Sequence, residues 1–564
     1  MKANYGENII IANLDSGVYP ESKSFRGKGY GPIPTKWKGD CDNDTFCNNA
    51  RDPNGHGSHT LSTAGGNFVP YVSYNTVWMG TAKGGSPQAR VAAYKVCWPP
   101  SFLGVECDSA DVVKGFETAV NDGVNVISAS LGSHPTEYIN DALAIASFHA
   151  VKKGVTVVFS GGNKGPSSGT VTNVAPWVIT VGASTIDREF QSFLFLANGL
   201  NLKGLSMPKP LPHPGFYTLI NAANAKAETA TEMDALILFK YDSISLYTLG
   251  LSMHESVIFS AVKFLSIFLF SITTQTVIQW LDQQCMYIYN ICVCARACRM
   301  HCLQGTLDPE KVQGKILVCL RGVNDNVAKG TEAVLAGAAG MVLCNDKAHG
   351  FDITADFHVL PAIHITFPDG HRLYDYLNST NLAKGYVFHP VPAIHTVSAP
   401  VVANFSSRGP NSITPEILKP DIVAPCSILR RSRTCITIQY IYYQELQWLV
   451  HPDWSPSAIM TTASTKENQY GYPMSDEIGG WAEPFSRGAG EINPNRAMNP
   501  GLVYNLTVND YLDFLCTRRY DKSIIQKFSD QPYECPEKNN ILDFNYPSIT
   551  VHQLNGTVTV TRRD

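Results

Sequence analysis

From Asn8 to about Ala183 the chain alternates short apolar runs with longer segments of helical period. A chain patterned in this way buries itself most completely as strands laid side by side beneath covering helices. IIIANL, from Ile9 to Leu14, reads as a buried strand ending at Asp15. VAAYKV, from Val91 to Val96, reads as another, and SADVVKGFETAVNDG after it sets Val112, Val113, Phe116, Ala119 and Val120 at helical spacing with Gly123 as the stop. VNVISAS predicts a third strand, DALAIASFHAVKKG a helix closed by Gly154, and VTVVFSGGN a fourth strand. These strands are apolar throughout instead of alternating, so both faces of their sheet must be covered, which implies an α/β doubly wound parallel sheet. Ligands of such sheets bind beyond the carboxyl ends of the strands. Asp15, Ser130 and Asn163 all lie at those ends.

At 564 residues the chain has room for roughly two to four units. With 44% hydrophobic and 16% charged residues it is globular, not disordered. Lys plus Arg number 44 against 48 for Asp plus Glu, a net charge of -4, which argues against nucleic acid or an anionic membrane as partner. A second region, from about Gly305 to Pro390, carries GKILVCL, AVLAGAAG and MVLCND, enough for a small inserted α/β or β-rich domain. From Asp543 the chain alternates like two strands around an Asn-Gly turn, fewer than a sheet needs to stand alone. The 15 Cys are odd in number, and Cys285, Cys292, Cys294, Cys298 and Cys302 crowd together, which does not read as a secreted disulfide framework. MKANYGENIIIANLDSG has neither the length nor the cleavage site of a signal peptide, so no leader is expected within this chain. Asn-X-Ser/Thr sequons at Asn43, Asn378, Asn404, Asn505 and Asn555 become acceptors only in the secretory pathway.

The segment DPNGHGSHT sets His56 between two glycines just ahead of a helical run. A lone histidine is most simply structural, but His56 has company. Asp15 ends a buried strand, where a carboxylate is costly unless it is hydrogen-bonded, for instance to an imidazole whose tautomer it then fixes. Asn163, in FSGGNKGP, follows another strand inside a glycine turn and carries an amide able to donate to a developing oxyanion. A carboxylate, a base and an oxyanion donor are three parts of an acyl-transfer site.

LDSGVYPESKSF, RDPNGHGSHTLSTAGG, ARVAAYKVCW, SGGNKGP, NVAPWVITVGASTIDREF, ANFSSRGPN, ILKPDIVAP, HPDWSPSAIMTTA and GAGEINPNRAMNPGLVYNLTVNDYLDFLC, in that order, resemble the plant subtilisin-like serine proteases over about four fifths of the chain. The resemblance implies an endopeptidase acting on polypeptides, with no cofactor, and an extracellular or cell-wall location. It implies that Asp15 orients, that His56 is general base and acid, that Asn163 completes the oxyanion hole, and that Ser130, Leu131 and Gly132 receive the substrate as an added strand. It further implies a catalytic domain in two parts, 1–203 and 396–520, a protease-associated domain over 302–395 whose inserted region begins at 204–236, and a truncated fibronectin-III-like domain over 535–564. No Asp-rich loop of calcium-binding spacing is present, so no residue is singled out as a metal ligand.

Two departures from the family stand out. Its nucleophile lies in a GTS-M-x-C-P-H motif, and here LKPDIVAP runs through 426–449 to HPDWSP with no such motif, so the nucleophile is absent. Ser427 and Ser432 lack the glycine-flanked turn that presents a reactive hydroxyl, and Ser457 belongs to the WSPSAI helix start. The second departure is 237–301, which matches nothing in the family. A membrane anchor at Val257–Ile272 is too short and carries Lys263. A zinc site at Cys292, Cys294, Cys298 and Cys302 with His301 has unusual spacing. Translated non-coding sequence fits an unpatterned apolar block better. The rivals to an active protease are therefore a pseudoprotease that binds peptides or partner proteins, and a faulty gene model.

Overall fold

Each apolar run of the first 190 residues becomes a strand, and each helical-period segment a helix, because capping residues close the segments where the pattern changes. The computed structural model describes residues 4–563 apart from 28, 40–49, 75–76, 99–106, 133, 208, 228–299, 395–397, 426–454, 469, 502 and 538. The segment expected to be foreign, 237–301, lies outside the described residues except for its last two, and 426–449 lies outside them entirely, with Ser427 and Ser432. Two compact units result, one of Met1–Tyr74, Trp78–Glu189 and Ala393–Asp564, the other chiefly Phe190–Pro392.

The first unit begins with β1 (Ile10–Asp15), α1 (His56–Gly65), β2 (Arg90–Lys95), α2 (Ser109–Asn121), β3 (Val126–Ala129), α3 (Ala142–Lys152), β4 (Thr156–Ser160) and β5 (Ile179–Ser184). Asp108 caps α2 by accepting from the Ala110 amide at 2.8 Å, and Asp141 caps α3 by accepting from Leu143 and Ala144. Past their far ends, Gly123 and Gly154 take φ of 83° and 84°, the left-handed conformation that ends a helix.

The second unit contributes β6 (Arg188–Leu196), β7 (Asn201–Leu205), β8 (Tyr217–Asn221), β9 (Ile316–Leu320), α4 (Asn326–Leu335), β10 (Gly340–Cys344), β11 (Ala362–Ile365), α5 (Phe367–Ser379) and β12 (Lys384–Val387). Seven of the eight strands of this sheet run β12-β8-β9-β10-β11-β7-β6, and β6 pairs back to β12, closing the circuit. Leu194, Ile316, Val318, Val342, Ile363 and Leu373 fill its interior.

The chain then returns to the first unit with β13 (Val401–Val402), β14 (Ile422–Pro425), α6 (Ser455–Thr462), β15 (Ser475–Asp476) and α7 (Val508–Thr517). The complete sheet is eight-stranded, ordered β15-β13-β5-β4-β3-β1-β2 with β14 also paired to β5. All the pairings from β2 to β5 are parallel, as the unbroken apolar strands require. Trp177 packs edge to face with Phe148 and Tyr138 beside it, and Phe514 lies tilted against Tyr138, with ring centroids 5.2–5.6 Å apart. Each such burial contributes about 1.5–3 kcal/mol.

Two expectations fail. The tail after Asp543 forms no strand among the described residues. Phe544 and Tyr546 are buried in the first unit's core instead, with the Phe544 ring 5.1 Å from Phe514. The cysteines do form a framework, Cys97–Cys107, Cys302–Cys319 and Cys516–Cys535. An odd count misled because pairing depends on proximity in space, and buried Cys344 stays free. The bond to Cys319 removes Cys302 from any zinc site, and His301 Nδ1 faces the Leu320 carbonyl at 3.2 Å. Among the described residues no helix is long and apolar enough to cross a membrane, and no group of three or more His, Cys, Asp or Glu is arranged to hold a metal ion.

Candidate active site

Asp15, the last residue of β1, is 1% exposed, and a carboxylate so placed must be hydrogen-bonded to stay charged. Its Oδ1 accepts from the Ser16 amide at 2.7 Å and lies 2.5 Å from His56 Nδ1. Thr60 Oγ1 is 3.1 Å from Oδ2 and equally far from the Gly57 carbonyl. Asn13 Nδ2 donates to that hydroxyl at 3.0 Å and also approaches the Gly57 carbonyl at 3.3 Å, which turns the Thr60 proton toward Asp15.

His56 opens α1, and its approach to Asp15 depends on a glycine. A Cβ on Gly57 would meet the Gly17 carbonyl oxygen at 2.3 Å, so any side chain there would push α1 away from the end of β1. With Nδ1–H donated to Asp15, the neutral imidazole keeps a lone pair on Nε2. The His56 side chain is 22% exposed, so a base sits at the surface on a buried acid. Among the described residues no hydroxyl is hydrogen-bonded to that ring. One turn further along α1, burial and then the charge of a protonated His56 lower the pKa of His59 against the pull of Asp15. His59 therefore adds no competing charge near neutral pH.

Ser130, Leu131 and Gly132 follow β3, and Asn163 follows β4 by three residues. The order β4-β3-β1 sets the ends of these strands on one edge, adjacent strands lying about 4.8 Å apart. Asn163 is exposed, and its amide makes no hydrogen bond with a described residue. The Ser130 hydroxyl is buried without a partner among the described residues, Leu131 is buried and Gly132 is exposed. Lys164 Nζ lies 3.4 Å from His134 Nε2 on the loops that continue from these segments. Asn173, which the sequence did not single out, donates to the Leu131 and Ser160 carbonyls at 2.8 Å each and so fixes the two loops against one another.

Ser457 is 1% exposed, and its Oγ accepts from the Tyr504 amide at 2.7 Å, a structural bond within α6's surroundings. It is not presented to the surface where His56 lies. Thr60 was legible in principle, since i and i+4 share a helix face. Asn13 likewise stands two residues before Asp15 on the same strand face.

A model of the subtilase family matches residues 6–475. The chain is 46% identical over 619 residues to the subtilisin-like protease SBT5.4 of Arabidopsis thaliana, covering 100% of this chain and 71% of that protein. It is 42% identical over 623 residues to the subtilisin-like protease SBT5.3 of the same plant, covering 100% and 72%. A relative in Glycine max, the subtilisin-like protease Glyma18g48580, is 35% identical over 637 residues, covering 98% and 72%.

Proposed function

Because the chain belongs to the subtilase family of serine proteases, we propose that its first unit is a peptide-bond hydrolase scaffold, complete except for the nucleophile. An extended polypeptide lies along Ser130–Gly132, where the exposed Gly132 leaves the backbone approachable. Asp15 holds the His56 tautomer, His56 Nε2 is the base that would take a serine proton, and the exposed Asn163 amide is the donor for the oxyanion. The observation that carries this reading is the 2.5 Å contact between a 1% exposed carboxylate and a solvent-facing imidazole, an arrangement that fits proton transfer and is expensive to maintain otherwise.

As the sequence stands, the chain binds polypeptides without cutting them. The GTS-M-x-C-P-H motif is missing from 426–449, Ser457 is committed to Tyr504, and removing the serine of subtilisin costs about 10⁶ in turnover, a value already established for that enzyme. The incubation that tests this uses an unfolded protein substrate, with products read by mass spectrometry. No new termini are expected, whereas cleavage that disappears in His56→Ala would refute the claim. The competing reading, a gene model that retains non-coding sequence, predicts that a cloned transcript contains the motif and lacks 237–301.

The second unit is assigned as a protease-associated domain by the same resemblance. Export is supported by the disulfides among the described residues, bonds that persist in oxidising compartments. Exposed sequon residues Asn378, Asn505 and Asn555 agree with it.

A further inference from the structure

We infer that Asp52 is a positioning residue that sets the geometry of the Asp15–His56 pair while touching neither side chain. Its carboxylate accepts five hydrogen bonds. Oδ1 takes the Ser16 hydroxyl at 2.8 Å and the amides of Asn54 and Gly55 at 3.0 and 2.8 Å. Oδ2 takes the amide and hydroxyl of Ser58 at 2.8 and 2.7 Å. Every partner is a donor, so only a charged carboxylate satisfies the set.

These partners stand on both sides of the pair. Ser16 follows Asp15 directly, and its own amide donates to Asp15. The Ser16 hydroxyl in turn accepts from the Gly57 amide at 2.9 Å, so the residue after Asp15 and the residue after His56 are joined through one oxygen that Asp52 orients. Gly55 and Ser58 bracket His56 in the first turn of α1. Gly55 is the cap of that helix and has no side chain to offer, so Asp52 supplies from upstream the acceptor that an Asp or Ser at the cap would provide. Burial alone would raise the pKa of Asp52, but the Ser58, Gly55 and Ser16 donors outweigh it and hold the group at about 2.

The inference rests on the pairing of Asp15 with His56, and it is tested without turnover. In the intact chain labelled with ¹⁵N-histidine, the Nδ1–H proton of His56 should give a low-field NMR resonance, assigned by its loss in His56→Ala. Asp52→Asn, which sets an amide donor against amide donors, should reduce that resonance at least tenfold by exposing the proton to water exchange. Asp141→Ala removes the corresponding acceptor from α3 and should leave the resonance unchanged, which separates positioning from a general loss of helix stability. Should Asp52→Asn fail to fold, Ser16→Ala cuts the same link and should weaken the signal. An unchanged resonance in Asp52→Asn, or in Ser16→Ala when that variant decides, overturns the inference. Its absence from the unmodified chain overturns the pairing beneath it.

Discussion

Replacing Glu491 by Gln should remove a loss of stability that the protein suffers as pH rises. Glu491 is buried beside the end of β14, its amide and carbonyl paired with Ser464 at 2.7 Å each. Its Oε2 accepts a single side-chain bond, from the Ser184 hydroxyl at 2.6 Å. Burial raises its pKa from 4.5 to about 8, and the Ser184 bond offsets only part of that. The folded state therefore binds a proton that the unfolded chain has released, and stability falls as pH climbs from the unfolded value toward the folded one. The slope is at most about 1.4 kcal/mol per pH unit, so pH 5.5 to 7.5 costs up to about 2.7 kcal/mol. Gln keeps an oxygen for Ser184 and has no proton to lose. The stability difference between Glu491→Gln and the parent should thus grow by about 2 kcal/mol across those two units. Denaturant unfolding of both chains at pH 5.5, 6.5 and 7.5 measures it, and contributions from other titrating groups cancel in the comparison. Parallel curves would show that Glu491 does not titrate in this window.

Arg408→Ala should destabilise the first unit by about 3–5 kcal/mol, because the guanidinium spans both oxygens of Asp476 at 2.6 and 2.8 Å and leaves a carboxylate only 4% exposed. Chemical unfolding checks this, and the double variant with Asp476→Ala should lose less than the two single losses combined. Tyr546→Phe removes the hydroxyl that donates to Asp421, whose other oxygen holds Lys419 at 2.6 Å. It should cost about 1–3 kcal/mol and speed limited proteolysis of the tail. Cys319→Ala opens a disulfide of sequence separation 17 in the second unit and should lower its stability by about 3 kcal/mol, read by calorimetry.

The parallel sheet was legible because strands buried on both faces are apolar on both, as Ile10 to Leu14 and Val126 to Ala129 are except at Asn13 and Ser128, which bond each other. Asp15 was legible because a carboxylate at the end of such a strand is costly unless hydrogen-bonded, and His56 because it stands in company with that carboxylate and with Asn163. Asp52 and Asn173 were not, since loop residues follow no period and their worth lies in amides they reach only after folding. The tail misled for a related reason. Alternation from Asp543 fits a strand, but Phe544 and Tyr546 find aromatic partners in the core before any neighbouring strand exists to pair with. The disulfides required proximity, which a count of cysteines does not contain.

Labelling by a phosphonate that reacts with activated serines tests the central claim most directly. On the proposed reading the purified chain should not be labelled, because among the described residues no hydroxyl is hydrogen-bonded to the His56 ring. A chain in which the GTS-M-x-C-P-H stretch and its helix are restored between Pro425 and His451 should be labelled, and His56→Ala in that chain should abolish the signal. Labelling of the unrestored chain, mapped to any serine, would contradict the claim that this protein has an acid and a base in place but no nucleophile.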